Sequence, residues 1–342
     1  MSYDELPSYS YGEAGTGALE HRQCTLHANF TLDCSFEAFY DQYGLALNTG
    51  ILCAAAQIVF TVLFKALPWT QRHPTFLAHQ VVAFPLMIIL SWMGLAAWLF
   101  PAEDALAANA AGTYGRLHYP VEAGRQISLL ILGFQLFWDV PMTFTSAMYD
   151  PVMLVHHVGM LGCAVVSFMP YVQYYVPFFG GAIELSSVPL VIIDIFHPKR
   201  CAYTCMCSKA RVLTDDHSHF GVLTPLLCPG PHSYQDVADS NPISAQANFF
   251  MRVIFLLSYL AIRCIWFPVV VFTEVLPDFL GELSSAANVS AAAAPIIGML
   301  FILPLMFLQF YWGHLLIRQA IKALSAPPEM ADDRVAKPTE MV

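Results

Sequence analysis

The chain alternates between long apolar segments and short polar connections, and this pattern predicts membrane-crossing helices. A run of about 20 predominantly apolar residues crosses the hydrocarbon core as an α-helix, because the helix satisfies its backbone hydrogen bonds internally. Seven segments have this character: 47–67, 76–100, 127–147, 151–169, 171–196, 248–272 and 295–324. We therefore predict an all-α, polytopic membrane protein with seven transmembrane helices.

The composition points to the same class. Of the 342 residues, 57% are hydrophobic and 12% are charged, whereas soluble domains carry about 25% charged residues. The net charge of −10 lies largely in the tails and outer loops, and no cationic stripe could follow a phosphate backbone. We predict a membrane-embedded protein that has no nucleic-acid partner and that can form an oligomer.

The basic residues predict the orientation, because Lys and Arg favour cytosolic loops. They lie in the first loop, the fifth loop and the carboxyl-terminal region: Lys65, Arg72, Lys199, Arg200, Lys209, Arg211, Arg318, Lys322, Arg334 and Lys337. The amino-terminal tail and the loop 273–294 are acidic instead. The amino terminus is therefore predicted outside or in a lumen, and the carboxyl terminus in the cytosol.

Four regions follow from this topology. Residues 1–46 form a polar luminal or extracellular tail, 47–75 the first transmembrane helix and its loop, and 325–342 a cytosolic tail. The fifth loop, 197–247, has no helical period and is predicted to be a cytosolic insertion. Its cysteines and histidines do not follow a recognised zinc-ligand spacing.

The predicted non-cytosolic side carries candidate modification sites. Asn29 and Asn288 each begin an N-glycosylation sequon on that side. Cys24 and Cys34 share the amino-terminal tail, where an oxidising compartment would permit a disulfide.

Several ionisable residues fall inside the predicted spans. Inserting each such side chain into the membrane costs at least ~2.5 kcal/mol, so each is expected to have a partner or a function. Asp139, the adjacent His156 and His157, and Glu184 fall at similar depths in the cytosolic half of their helices. They predict a shared polar cavity that opens to the cytosolic leaflet. Arg263 is estimated to lie too far toward the lumen to join it.

The paired histidines suggest the chemistry of this cavity. Adjacent positions on a helix point about 100° apart, so one imidazole faces the cavity while the other holds it or a neighbouring helix. This geometry argues against a chelate, and we predict no metal and no cofactor. An imidazole beside Asp139 or Glu184 can act as a general base or as a nucleophile that carries an acyl group. Interhelical hydrogen bonding that only fixes packing is the alternative.

Other polar residues near the same depth are predicted to bind the ligand: Ser186, Ser187, Arg252, Tyr311 and His314.

Five segments in order resemble one family of membrane proteins: FQLFWD (134–139), DPVMLVHH (150–157), FFGGAIELSSVPL (178–190), FFMRV (249–253) and QFYW (309–312). The chain is similar to the TLC-domain family over 76–324. The resemblance implies a barrel of six membrane helices after an initial one, a lipid-related function and, often, location in the endoplasmic reticulum.

Within that family, the ceramide synthases carry paired histidines that support amide transfer from acyl-CoA to a sphingoid base. By this likeness His156 matches their essential first histidine and His157 its partner, with Asp139 and Glu184 as further catalytic candidates. Ceramide synthases carry a paired-aspartate segment in the next helix, where this chain has ELSSVP at 184–189. That pattern looks more like the non-synthase TLC-domain-containing proteins, which are linked to membrane lipid composition.

The leading hypothesis is therefore a protein of membrane lipid homeostasis that binds a long-chain acyl lipid or sphingoid base. The first alternative is a ceramide synthase-like N-acyltransferase with acyl-CoA as co-substrate. The second is a cargo receptor or chaperone of the secretory pathway. We expect the endoplasmic reticulum membrane in preference to the plasma membrane.

Overall fold

The computed structural model describes residues 25–26, 32–33, 36–67, 73–145, 148–168, 171–195 and 242–325. Among these residues the strands are Thr25–Leu26 and Leu32–Asp33, a short antiparallel pair before the first helix. Nearly all the remainder is helical, which confirms the helical class.

The described chain forms twelve α-helices: α1 (Phe36–Ala66), α2 (Pro74–Leu99), α3 (Glu103–Ala110), α4 (Gly112–His118), α5 (Glu122–Phe134), α6 (Val140–Thr143), α7 (Pro151–Phe168), α8 (Ser187–Ile195), α9 (Pro242–Tyr259), α10 (Phe267–Val270), α11 (Leu276–Ser285) and α12 (Val289–Leu324). Five non-α segments continue or precede these helices: the π-helical Gln135–Asp139, Pro177–Gly181, Leu260–Trp266 and Val271–Val275, and the 3₁₀-helical Ala182–Ser186.

Prolines account for most of the non-α segments. Pro141, Pro189, Pro268 and Pro277 each follow one of them by two or three residues. Because proline has no N–H, the carbonyl four residues earlier loses its α-helical donor, and the helix widens or tightens there. Three of these four segments carry the ionisable residues of the site described below.

Five of the described helical stretches are long and apolar enough to cross a membrane: Phe39–Ala66, Pro74–Leu99, Pro177–Ile195, Phe249–Ser285 and Ala292–Lys322. The predicted fourth span corresponds to a shorter apolar helix, Pro151–Ser167. The predicted third span corresponds to α5 and its continuation to Thr143, which is not among the five. These helices fit a multi-pass membrane protein.

Several helices, among them α1 and α9, begin earlier than the hydropathy pattern predicts. Helix α1 starts at Phe36, inside the predicted polar tail 1–46, and carries Glu37 in its first turn. Helix α9 starts at Pro242, inside the predicted loop 197–247. Polar first turns continue a helix beyond its apolar stretch, because acidic residues and proline are favourable there. The rest of that loop lies outside the described residues.

Small residues let the helices of the bundle approach closely. A Cβ added to Gly94 of α2 would lie 2.3 Å from the Cα of Gly181, and one added to Gly133 of α5 would lie 2.1 Å from the carbonyl oxygen of Ala46. Any side chain at these glycines would push the backbones apart. The contact at Gly181 fixes the segment that carries Glu184 against α2.

Candidate functional site

A buried carboxylate between two histidines is the first part of the site. Asp139 ends a π-helical segment and is 4% exposed. Its Oδ1 lies 2.9 Å from Nε2 of His79 on α2, and its Oδ2 lies 2.7 Å from Nδ1 of His157 on α7. The His79 ring also stacks on Trp138, with 4.4 Å between ring centroids. One carboxylate thus ties three helical segments together.

A buried ion pair is the second part. Arg263 is 5% exposed and lies in the π-helical Leu260–Trp266, and its Nη2 lies 3.1 Å from Oε2 of Glu184. The guanidinium also donates from Nε to Ser186 at 2.7 Å and from Nη2 to Ser187 at 2.9 Å. Ser187 in turn donates to Glu184 at 2.5 Å.

Gln309 of α12 extends this network. Its Oε1 accepts from Nη1 of Arg263 at 3.2 Å and from the hydroxyl of Tyr259 at 2.8 Å. The Arg263 side chain is therefore held from the 3₁₀ segment on one side and from α12 on the other.

His156 lies between these two parts. Its ring is 5.4 Å from that of His157 and 5.2 Å from that of Trp312, in both cases measured between centroids and edge-on. Its Nδ1 is buried and has no hydrogen-bond partner. We refer to His79, Gln135, Asp139, His156, His157, Glu184, Arg263 and Gln309 as the head cluster.

Within the described part of the chain, the buried side-chain polar atoms that lack a hydrogen-bond partner belong to this cluster. Among the residues that the structure describes, the buried side-chain nitrogens and oxygens without a partner are Nδ1 of His79, Oε1 of Gln135 and Nδ1 of His156. A buried polar atom left without a partner costs about 1–3 kcal/mol. Of the three residues, His156 lines the cavity described below, which indicates that a polar group from outside the chain can bind beside it.

An elongated cavity begins at the head cluster. It encloses about 850 Å³ of space outside protein atoms, its open mouth included, and His156, Arg263 and Gln309 line one end. The rest is mainly apolar, with Met160, Phe301 and further aliphatic and aromatic side chains. On α7 the lining runs from His156 to Ser167, about 16 Å along the helix. This matches one leaflet of a hydrocarbon core that is about 30 Å thick.

A second polar cluster closes the far end of the cavity, and we call it the end lock. Asp278 accepts from Arg116 Nη2 at 2.6 Å, from Thr113 at 2.8 Å and from the hydroxyl of Tyr175. The hydrogen bonds to Asp278 raise the pKa of Arg116 above its usual value, against the effect of burial.

The end lock continues through Glu282, which lies 2.8 Å from Nε2 of His118 and accepts from the hydroxyl of Tyr171 at 2.7 Å. Tyr171 stacks on Phe279, which lines the cavity. The end lock therefore joins α4, α11 and the turn before Pro177 around the apolar end of the cavity.

The structure brings together most residues that the sequence placed in one cavity. Asp139, His156, His157 and Glu184 all belong to the head cluster, and Ser186 and Ser187 hold Arg263. Of these six, His156 is the residue that lines the cavity itself. Three others lie elsewhere: Arg252, Tyr311 and His314 are exposed on their helices and do not line the cavity. Depth along a helix did not by itself indicate which way these three side chains face.

Arg263 corrects the expectation that it lies too far toward the lumen to join the cluster. A rise of 1.5 Å per residue places Arg263 about 21 Å from Phe249 and Glu184 about 16 Å from Ile195, so the two depth estimates differ by about one helical turn. The long guanidinium side chain leans toward the start of its helix and spans that difference.

His79, Gln135 and Gln309 are members of the cluster that the sequence reasoning missed. His79 is an ionisable residue inside an otherwise apolar span, which is the same signal that singled out Asp139. The two glutamines gave no comparable signal.

The remaining predicted sites are placed as follows. Asn288 is exposed in the turn between α11 and α12. Asn29, Cys24 and Cys34 lie outside the described residues. Within the described ranges, no group of three or more His, Cys, Asp or Glu side chains could hold a metal ion.

Comparisons with known proteins give no relative. The chain matches no protein-family model, no curated protein and no solved structure.

Proposed function

We propose that this chain is a multi-pass membrane protein of the TLC type, with seven spans, that binds a long-chain lipid for membrane lipid homeostasis. The observation that carries the proposal is the cavity, which is about one leaflet long and mainly apolar, with His156, Arg263 and Gln309 at one end. A single acyl chain would fill the apolar part, and its polar end would meet the head cluster.

The orientation supports access from the cytosolic leaflet of the endoplasmic reticulum membrane. His79 and His156 of the head cluster lie in the second turns of α2 and α7, and Lys and Arg are concentrated in the connections before α2 and before α9. These connections are cytosolic by the preference of basic residues for that side. With the amino terminus outside and the carboxyl terminus in the cytosol, the lipid would enter from the leaflet that faces the cytosol.

Lipid copurification tests this proposal. The wild-type protein and His156→Ala are purified in mild detergent, with His314→Ala as the matched control because His314 is exposed outside the cavity. We expect wild type and the control to retain a long-chain lipid, and His156→Ala to retain about tenfold less, since one hydrogen bond of about 1.4 kcal/mol is lost. Equal lipid on all three proteins, or none on wild type, contradicts the proposal.

An acyltransferase is the second candidate, favoured by the contact of His156 with the Asp139–His157 pair. One nitrogen of the neutral His156 imidazole would attack a thioester carbonyl, the carbon–sulfur bond would break, and the proton on the other ring nitrogen would pass to the leaving thiolate. A sphingoid amine would then attack the acyl-imidazole and return a proton to the ring. Asp139 and His157 would orient the site without touching the substrate.

Intact-mass spectrometry distinguishes the two candidates. After incubation with palmitoyl-CoA, the transferase predicts an acyl mass on wild type that hydroxylamine removes and that is missing from His156→Ala. Bound lipid without such an adduct supports the binding protein alone.

A further inference from the structure

The charges at the head cluster occur in two compensated pairs, and this limits the lipids that fit. Arg263 faces Glu184 at 3.1 Å, and His157 faces Asp139 at 2.7 Å. Both pairs are largely buried, so each charge is cancelled by its neighbour and very little by solvent. A ligand therefore meets no unpaired charge of either sign.

Nearly all the N–H donors of Arg263 are already hydrogen-bonded to other groups of the protein. A guanidinium has five N–H groups, and four of them bond to Ser186, Ser187, Glu184 and Gln309. The fifth N–H, on Nη1, is not used by these four contacts, and the Arg263 side chain lines the cavity. Arg263 can thus donate a single hydrogen bond to a ligand without having a free charge to offer.

The hydrogen bonds of Asp139 indicate which of its two histidine partners carries the positive charge. His79 and His157 each turn one nitrogen to this carboxylate, and both nitrogens donate. The other nitrogen of His79 is buried without a partner, so a second proton there would be an unpaired donor on a buried cation. Of the two histidines, His157 is therefore the better placed to carry the positive charge, and its contact with Asp139 is the shorter.

We propose that the cavity selects single-chain lipids whose polar end is uncharged and carries a carbonyl or hydroxyl oxygen. That oxygen accepts from Nη1 of Arg263, beside the unpartnered nitrogen of His156. Alcohols, amides, esters and thioesters belong to this class, whereas a fatty carboxylate, a phosphate or an ammonium would bring an uncompensated charge into the cavity. The inference rests on the proposed function, since it specifies the ligand of the same site.

A series of ligands with one chain length tests it without altering the protein. Full-length wild-type protein in detergent is titrated with palmityl alcohol, palmitamide, palmitate and palmitylamine at a pH where the last two are ionised. We expect the alcohol and the amide to bind at least about tenfold more tightly than the carboxylate and the amine.

Three outcomes are distinct. Preference for the alcohol and the amide supports the inference. Equal or tighter binding of palmitate or palmitylamine overturns it and leaves the lipid-binding function intact. Binding of none of the four overturns the proposed function, and the inference with it.

A variant gives the same inference a second test. Glu184→Gln removes the partner of Arg263, so palmitate should gain at least about tenfold relative to palmityl alcohol. The matched control is Glu122→Gln, since Glu122 pairs with Arg125 at the surface of α5, outside the cavity lining. An unchanged preference in folded Glu184→Gln contradicts the inference, and the ligand series on wild type decides the question if that variant does not fold.

Discussion

The two ends of the cavity use the same kinds of side chain in opposite ways. At the end lock, Asp278 accepts hydrogen bonds from Arg116, Thr113 and Tyr175. At the head cluster, His156, His79 and Gln135 each keep a buried polar atom without a partner. A network in which every polar atom has a hydrogen-bond partner stabilises the fold, whereas one with unpartnered atoms can still form hydrogen bonds to a ligand. Substitutions should therefore affect stability at one end and binding at the other.

The largest effect is expected at Asp278. Asp278→Ala leaves Arg116 and Tyr175 without their shared acceptor, and breaking a buried ion pair costs about 3 kcal/mol. Thermal unfolding in detergent, followed by circular dichroism, measures the loss. An unfolding midpoint equal to that of wild type would mean that this cluster does not hold the end of the bundle.

The opposite result is expected at His156. His156→Leu removes a side chain whose Nδ1 has no partner, and an apolar group in its place should leave stability unchanged or raise it slightly. Affinity for palmityl alcohol should still fall about tenfold, which corresponds to about 1.4 kcal/mol. Loss of stability in step with loss of binding would place His156 among the structural residues, and the distinction between the two ends would fail.

A milder substitution at the end lock sharpens the comparison. Tyr171→Phe deletes the hydroxyl that donates to Glu282 and keeps the ring that stacks on Phe279. We expect a loss of about 1 kcal/mol in unfolding free energy. Because Tyr171 does not line the cavity, affinity for palmityl alcohol should stay within about twofold of wild type, or about 0.4 kcal/mol. A tenfold loss of affinity would show that the lock shapes the ligand site directly.

Prediction from sequence succeeded where apolar length and depth were enough. The helical class and the approach of Asp139, His157 and Glu184 followed from a rise of 1.5 Å per residue and the cost of intramembrane charge. The helix starts at Phe36 and Pro242 lay outside the hydropathy signal, because polar first turns resemble loops.

Rotation about the helix axes was not predictable in the same way. A π-helical turn adds one residue and turns all later side chains by about 100°. Such turns precede Pro141, Pro268 and Pro277, but proline alone does not tell a π turn from a kink. Arg263 was assigned away from the cluster on estimated depth alone, and Tyr311 and His314, which lie on the uninterrupted α12, were assigned on depth alone to a cavity that they do not line.

Photo-crosslinking tests the central claim, a lipid inside the cavity, most directly. Full-length protein in detergent is irradiated with a palmityl alcohol that carries a diazirine in its chain, and labelled residues are identified by mass spectrometry. The account predicts label on cavity-lining positions of α7 and α12 such as Met160, Phe301 and Leu305, with competition by unlabelled palmityl alcohol. Label confined to outward-facing positions such as Val155 and Leu300, with no competition, would contradict it.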